Sequence, residues 1–494
     1  MLPLLIGLIV LSICLYIKKY YDNVANYPKG PMPLPFIGNF FDVPAVDMQD
    51  YFKKCSDKFG PVFTVFLPAP IVVLNDYESI KESMVKNAEC FAGRPTAYPE
   101  KFYQMEDGKG VLFSSGENWK NQRRIAIQIL RDFGFGNQVL ENKIHDGIDD
   151  LFHHIDSIKH EGVDFRWPFQ ICVANVISSI LFGYKCSYDN TDRLKVYTDV
   201  LDAATENFRA SRYILLYQYF GKYPWIVKFL NLFATESVSQ IKLVFESVRK
   251  DIAEAKKSYV EGHEPENFVH AYLDKCKALG GYISEDQLAP VVSDFWIAGM
   301  DTVTTFSRWS IVIFAYFPDV QTKMRDEIHA AIHDHHYVTM RDKKNLVYCT
   351  AVQLEIQRFI NFFPINLSHE ANEDISIMGH LIKKGTAVLP QIYNVLRYDD
   401  AFVKPEEFIP ERFLTEDGKA LDKAIVEKVI PFGLGKRRCA GEAMGNMEHF
   451  LIMTRFLQRY KVSFMNEEER DLSKIWGFIL KPYKRLMRVE DCEY

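Results

Sequence analysis

The chain has 494 residues, 48% hydrophobic and 25% charged, which is enough to bury a large core, and its 14% aromatic content suits an apolar cavity. A formal net charge of -6 excludes a generally basic nucleic-acid binder while leaving room for a local basic face. Nine cysteines, odd in number and without a CxxC or CxxxC pair, read as a reduced, cytosol-facing set rather than a disulfide framework or zinc site.

Residues 1–17 (MLPLLIGLIVLSICLYI) are uncharged and apolar, and Lys18-Lys19 follow at once. As a helix this run spans roughly 25 Å, with Tyr16, Tyr20 and Tyr21 suited to a membrane interface. A cleaved secretory signal needs positive charge before the apolar run and a small-residue cleavage site after it. Neither is present, so residues 1–19 are expected to be a retained membrane anchor, with the body on the positively charged, cytosolic side. Residues 27–39 (YPKGPMPLPFIGN) cannot form a helix and read as a semi-rigid, extended linker.

Trp119 and Arg123, four apart, share a helix face, which alone means only an amphipathic surface helix. Ser284 and Gln287 form a capping box, and the apolar pattern then runs to Phe317 before Pro318, a helix of roughly 50 Å that belongs at the centre of a fold. Within it, Gly299 removes side-chain bulk. Asp301 beside Thr302 sets an acid next to a hydroxyl able to bond the carbonyl four residues back. Glu355 and Arg358 form an ExxR pair, by spacing no more than a local ion pair, and Pro410-Glu411-Arg412-Phe413 follows.

The most informative run is Phe432-Gly433-Leu434-Gly435-Lys436-Arg437-Arg438-Cys439-Ala440-Gly441. Its Phe-x-x-Gly-x-Arg-x-Cys-x-Gly pattern arises by accident in about one chain in ten thousand. A thiolate ligand must stay deprotonated, and Arg437, a metal and a following helix N-terminus all lower a thiol pKa. Ala443, Met447, Phe450, Leu451, Thr454 and Leu457 supply that helix at 3.6-residue spacing. Gly435 permits a turn with positive φ, and Gly441 permits close approach of a flat cofactor whose acidic group Arg437 is free to meet. On the residues alone, Cys439 is a thiolate metal site.

Taken together and in this order, these runs resemble the cytochrome P450 monooxygenases, most closely animal microsomal members of the family-two type in the Pro-Lys-Gly-Pro hinge and His369. The resemblance extends from the anchor to at least Phe456. It implies a mainly α fold with small β-sheets, a long central helix and a C-terminal cysteine loop. A single haem-thiolate catalytic domain would occupy 40–494, behind the anchor at 1–19 and the hinge at 27–39. It implies Cys439 as the axial thiolate of haem b iron, with Arg94, Trp119, Arg123, His369 and Arg437 holding the cofactor. Asp301 and Thr302 would be the catalytic acid-alcohol pair that relays protons, and Glu355, Arg358 and Arg412 a buried structural network.

The same resemblance assigns Ala97 to Phe113, Phe208 to Phe233, Phe295 to Thr302, Phe362 to Asn366 and Trp476 to Ile479 to the substrate pocket. Lys120, Arg124, Arg131, Lys436 and Arg438 are expected to gather beside Cys439 as a docking face for an acidic partner. Departures from the family pattern are Leu396, where relatives frequently carry His, and Arg438 directly before the ligand. The implied reaction inserts one atom of O2 into a lipophilic xenobiotic, fatty acid or steroid-like molecule at the endoplasmic reticulum membrane. No Gly-x-Gly-x-x-Gly or P-loop is present, so electrons would come from NADPH through a separate flavoprotein reductase, with cytochrome b5 as a second candidate donor. Two alternatives remain, a haem-thiolate isomerase or dehydratase acting on peroxides and a non-catalytic haem-binding protein; neither needs the Asp301–Thr302 pair.

Overall fold

The computed structural model describes residues 2–44, 47–96, 108–134, 138–195, 197, 223–233, 235–280, 283–332, 336–477 and 479–492. Its centre is the helix Leu288–Tyr316, 29 residues and so about 43 Å long. It packs against Arg166–Leu181 and Glu442–Arg459. Every residue from Pro168 to Leu181 is buried, the mark of a helix apolar all round, which can sit only inside a fold. The central helix stops at Phe317 because Pro318 opens the next helix, Pro318–Ala331, and disfavours helical geometry in the residue before it. Its start differs from expectation. Glu285–Gln287 forms a 3-10 turn, the Ser284 hydroxyl donates to Asp286, and the Gln287 carboxamide oxygen accepts from Gly110 N–H at 3.2 Å, so no capping box forms. A tertiary contact has taken the residue that the local motif would have used.

A four-stranded sheet in the order Val62–Leu67, Ala69–Leu74, Ala387–Pro390, His369–Glu370 covers one side of the helical body. The first pair is antiparallel, the second parallel with Ile71 opposite Ala387, and the third antiparallel with His369 opposite Val388. This register fixes His369 at the edge strand, against the cavity described below.

The apolar N-terminal helix spans Leu2–Val24, continuing through Lys18-Lys19 rather than ending there. Pro3–Val24 has a mean hydropathy of 1.7 with no residue buried, so it is long and apolar enough to cross a membrane. The proline-rich stretch is not the free extended linker its composition suggests. Tyr20 donates to the Leu34 carbonyl at 3.1 Å and Phe36 stacks on Tyr16 with ring centroids 4.6 Å apart. Asn39 donates to the carbonyls of Pro31 and Met32, both at 3.3 Å, and accepts from Phe66 N–H at 2.9 Å. A Cβ on Gly38, which has φ +64°, would overlap the Phe66 carbonyl. The strap is therefore bolted to the first strand by backbone contacts that only glycine permits.

Candidate functional site

A cavity of about 310 Å³ lies between the central helix and the cysteine loop. One stripe of the helix, Asp294, Ala298, Thr302 and Phe306, forms a wall because residues four apart share a face. The loop forms another. Its turn is made by Gly433 and Gly435 at φ +76° and +73° and is closed by Cys439 N–H donating to the Phe432 carbonyl at 2.9 Å. A Cβ on Gly435 would overlap the Met84 carbonyl, so this glycine lets the loop seat on the neighbouring turn as well as bend.

Cys439 has an exposed surface, but what it faces is the cavity, and the thiol is otherwise enclosed. Burial pushes its pKa up, ahead of the lowering by the Gly441 N–H, with Glu442 raising it and Arg123 and Arg438 lowering it. Of the groups expected to lower it, the helix N-terminus does so through Gly441, while Arg437 gives way to Arg123 and Arg438. Such a sulfur becomes a ligand when a metal cation replaces its proton. Among the described residues no group of three or more His, Cys, Asp or Glu is placed to hold a metal ion. A metal on Cys439 must therefore bring most of its ligands with it, as a tetrapyrrole does.

Opposite charges for such a cofactor are ready. Arg94, Arg123, His369 and Arg437 all line the cavity. Arg437 is not free as expected: it donates to the carbonyls of Ala92, Val111 and Ser114 at 2.8, 3.3 and 2.6 Å and lies 3.8 Å over the Trp119 ring. Burial, then Arg94 and Arg123, bring its pKa down to about 8. Arg94 donates to the carbonyls of Leu112 and Ser368 at 3.2 and 2.7 Å, and Arg123 to that of Arg438. Neither Arg123 nor Arg437 has a carboxylate partner among the described residues. Trp119 is buried and its indole N–H has no acceptor among the described residues. His369 Nδ1 meets the Phe91 carbonyl at 2.8 Å, and burial, with Arg94, pushes its pKa well down. Clustered cations and an orphaned donor fit a group carrying carboxylates, such as the two propionates of haem.

Thr302 lines the cavity and its hydroxyl donates to the Ala298 carbonyl at 2.8 Å, the four-residue bond the sequence suggests. Asp301 is not on the cavity wall. It is buried and paired with Lys481 at 3.0 Å. Gly299 reaches the cavity, yet a Cβ there would meet Ile177 at 3.4 Å, so the glycine also serves helix packing.

The ExxR pair is far more than a local bridge. Arg358 Nε and Nη2 bond both Glu355 oxygens at 2.7 and 2.8 Å, Arg412 Nε reaches Glu355 at 3.3 Å, and Ile409 N–H donates to Glu355 at 2.8 Å. Glu355 and Arg358 are both fully buried. Arg358 also donates to the carbonyls of Pro405 and Leu396 at 2.9 and 3.4 Å, so position 396 contributes its backbone whatever its side chain.

Of the expected pocket segments, Val111, Leu112, Phe295, Phe362, Phe363 and Asn366 reach the cavity, besides Ala298, Gly299 and Thr302. Residues 97–107 and 198–222 lie outside the described residues. Trp476 and Ile479 are absent from the wall and pack with the core instead. Three of the five expected docking cations are offset: Lys120 by Glu117, Lys436 by Glu89 and Arg438 by Glu442.

Three residues escaped the sequence reading. Asp294 accepts from Val111 and Leu112 N–H at 2.6 and 2.9 Å, and burial raises its pKa to about 6. Its spacing of eight from Thr302 was the available signal. Glu448 is a fully buried acid on the cavity wall, with no partner for either oxygen among the described residues. Lys481 had no signal at all, because its partner is 180 residues away.

The family profile described as Cytochrome P450 matches residues 28–489. Cytochrome P450 2K1 of Oncorhynchus mykiss is 31% identical over 496 residues, 97% of this chain and 95% of that protein. Cytochrome P450 2H1 of Gallus gallus is 32% identical over 483 residues, 96% and 95% of the two chains. Cytochrome P450 2E1 of Oryctolagus cuniculus is 31% identical over 480 residues, 95% and 94%.

Proposed function

Because this chain belongs to the cytochrome P450 family and is a haem-thiolate monooxygenase, we propose that Cys439 is its axial ligand and that the cavity takes a lipophilic small molecule beside the haem. The observation that carries this reading is that Cys439 and Thr302 line one cavity from two different elements. The bound haem supplies the oxygen-activating chemistry, favoured by thiolate ligation. Arg94, Arg123, Arg437, His369 and the Trp119 indole N–H would hold its carboxylates. Thr302 Oγ1, with its proton committed to the Ala298 carbonyl, turns its lone pairs to the cavity and orients a proton-carrying water there; Asp301, paired with Lys481 behind the helix, joins this relay as its acid only by leaving that pair. Ile177, Val111, Phe295, Phe306, Phe362 and Phe363 make the substrate wall apolar, which favours xenobiotic, fatty-acid or steroid-like molecules.

In the same reading residues 1–19 anchor the chain in the endoplasmic reticulum membrane, 27–39 are the strap, and 40–494 form the catalytic domain in the cytosol. Electrons come from NADPH through a flavoprotein reductase, with cytochrome b5 as a further donor. Cys439→Ala should abolish the red-shifted carbon monoxide spectrum of the reduced protein while leaving its far-ultraviolet circular dichroism in place. Retention of that spectrum by the alanine variant would overturn the ligand assignment. With reductase, NADPH and ¹⁸O₂, the product should carry one labelled oxygen atom.

A further inference from the structure

We propose that Lys481 is a positioning residue that holds Asp301 as a carboxylate turned away from the cavity, and so sets the state from which this acid takes part in proton delivery. The proposal rests on the reading of Asp301 and Thr302 as proton carriers. Its own evidence is the geometry behind the central helix.

Asp301 and Thr302 are neighbours in sequence but point to different surroundings. Thr302 faces the cavity; Asp301 faces the C-terminal strand Lys481–Pro482, with both its oxygens recorded 3.0 Å from Lys481 Nζ. Both partners are buried, so this is not a screened surface contact. The lysine is not free to drift. Leu480 before it donates its N–H to the Phe362 carbonyl at 2.8 Å and accepts from the Trp309 indole at 2.9 Å. Pro482 after it accepts from Arg308 at 3.2 Å. The segment is thereby tied on both sides of Lys481 to the central helix and to a residue of the cavity wall.

Arg308, two turns beyond Asp301, is the second cation that faces this acid. Its guanidinium also lies in the field of Asp164, Arg166 and Arg485, and its recorded bond goes to the Pro482 carbonyl. Lys481 therefore makes the direct ion pair, and Arg308 supports the strand that carries it. A carboxylate stripped of its counter-ion inside a fold takes up a proton rather than remain charged. A neutral carboxyl has no reason to stay turned toward the strand.

The test uses full-length holoprotein, with the carbon monoxide spectrum as the check on haem retention. Lys481→Met should add a protonated-carboxyl stretch to the infrared difference spectrum against wild type at neutral pH. That stretch should vanish in Lys481→Met/Asp301→Asn. Bands from Glu448 and Asp294 are common to both samples and cancel. Lys481→Gln, which keeps a polar stem, should give the same band should the methionine variant fail to fold, and Lys481→Arg should give none. Reductase-driven NADPH oxidation in Lys481→Met should then acquire a pH profile with the midpoint of the infrared band. Absence of an Asp301-dependent band in both neutral variants would overturn the proposal whatever the activity. A band that appears while Asp301→Asn leaves NADPH oxidation and peroxide release unchanged would uphold the pairing and sink the proton-carrier reading instead.

Discussion

Glu448 and its neighbour His449 sit on the cavity side of the helix Glu442–Arg459, and they respond to pH in opposite directions. Burial holds the Glu448 pKa well above the usual carboxylate range, so above about pH 4.5 the unfolded chain releases a proton that the folded chain keeps. That term favours folding at low pH and is lost as pH rises. His449 bonds Ser310 at 2.7 Å and Gln353 at 3.3 Å, and burial, with Lys343, brings its pKa down to about 3. Between about pH 6.5 and 3 the unfolded chain binds the extra proton, so stability falls as pH falls, by about 1.4 kcal/mol per unit. Glu448→Gln should therefore raise the unfolding midpoint at pH 8 and leave it nearly unchanged at pH 4.5. Equal effects at both pH values would mean that the carboxyl is not held neutral. His449→Gln, which can keep both hydrogen bonds, should flatten the acid limb of the stability curve.

At the scale of elements, the cysteine loop is positioned by what lies behind it. Gly435 combines a positive φ with a carbonyl contact at Met84 that leaves no room for a methyl group. Gly435→Ala should push the loop off that turn, with a cost of several kcal/mol in stability and a fall in the haem-to-protein ratio of purified protein. Undiminished haem content would show that the loop can relax. The long central helix, its stop at Pro318, the loop turn and the order of ExxR and PERF were legible in the sequence, because each rests on local geometry or on a short motif. The capping box at Ser284 fails because Asp286, two residues along, takes the serine hydroxyl and Gly110 takes the Gln287 carboxamide, and the free Arg437 was misread because three carbonyls distant in sequence claim its guanidinium. Composition made residues 27–39 look like a spacer, since nothing local reveals that Thr64 and Phe66 lie within backbone contact of Gly30 and Gly38. The Asp301–Lys481 pair was invisible because spacing rules reach a few residues along a helix and no further.

Over the whole molecule the cationic side chains near Cys439 are unequal. A net charge of -6 makes any local positive field the exception on this surface. Yet Glu89, Glu117 and Glu442 offset three of the five cations that composition alone would add to it. Arg124 and Arg131, both exposed on the helix Gly116–Asp132, have no acidic partner among the described residues, so of the five they are the two whose charge is not offset. Steering depends on that net field rather than on a count of basic residues, and it weakens as salt rises. If a reductase docks here through complementary charge, Arg124→Glu/Arg131→Glu should slow its first electron transfer about tenfold at low ionic strength and remove most of the salt dependence. Lys436→Gln should do much less, because it lowers the local charge by one unit where the double charge reversal lowers it by four. Stopped-flow reduction under carbon monoxide across a salt series reads both effects in one experiment. Equal slowing by the two variants, or no salt dependence in the wild type, would place the docking face elsewhere on the protein.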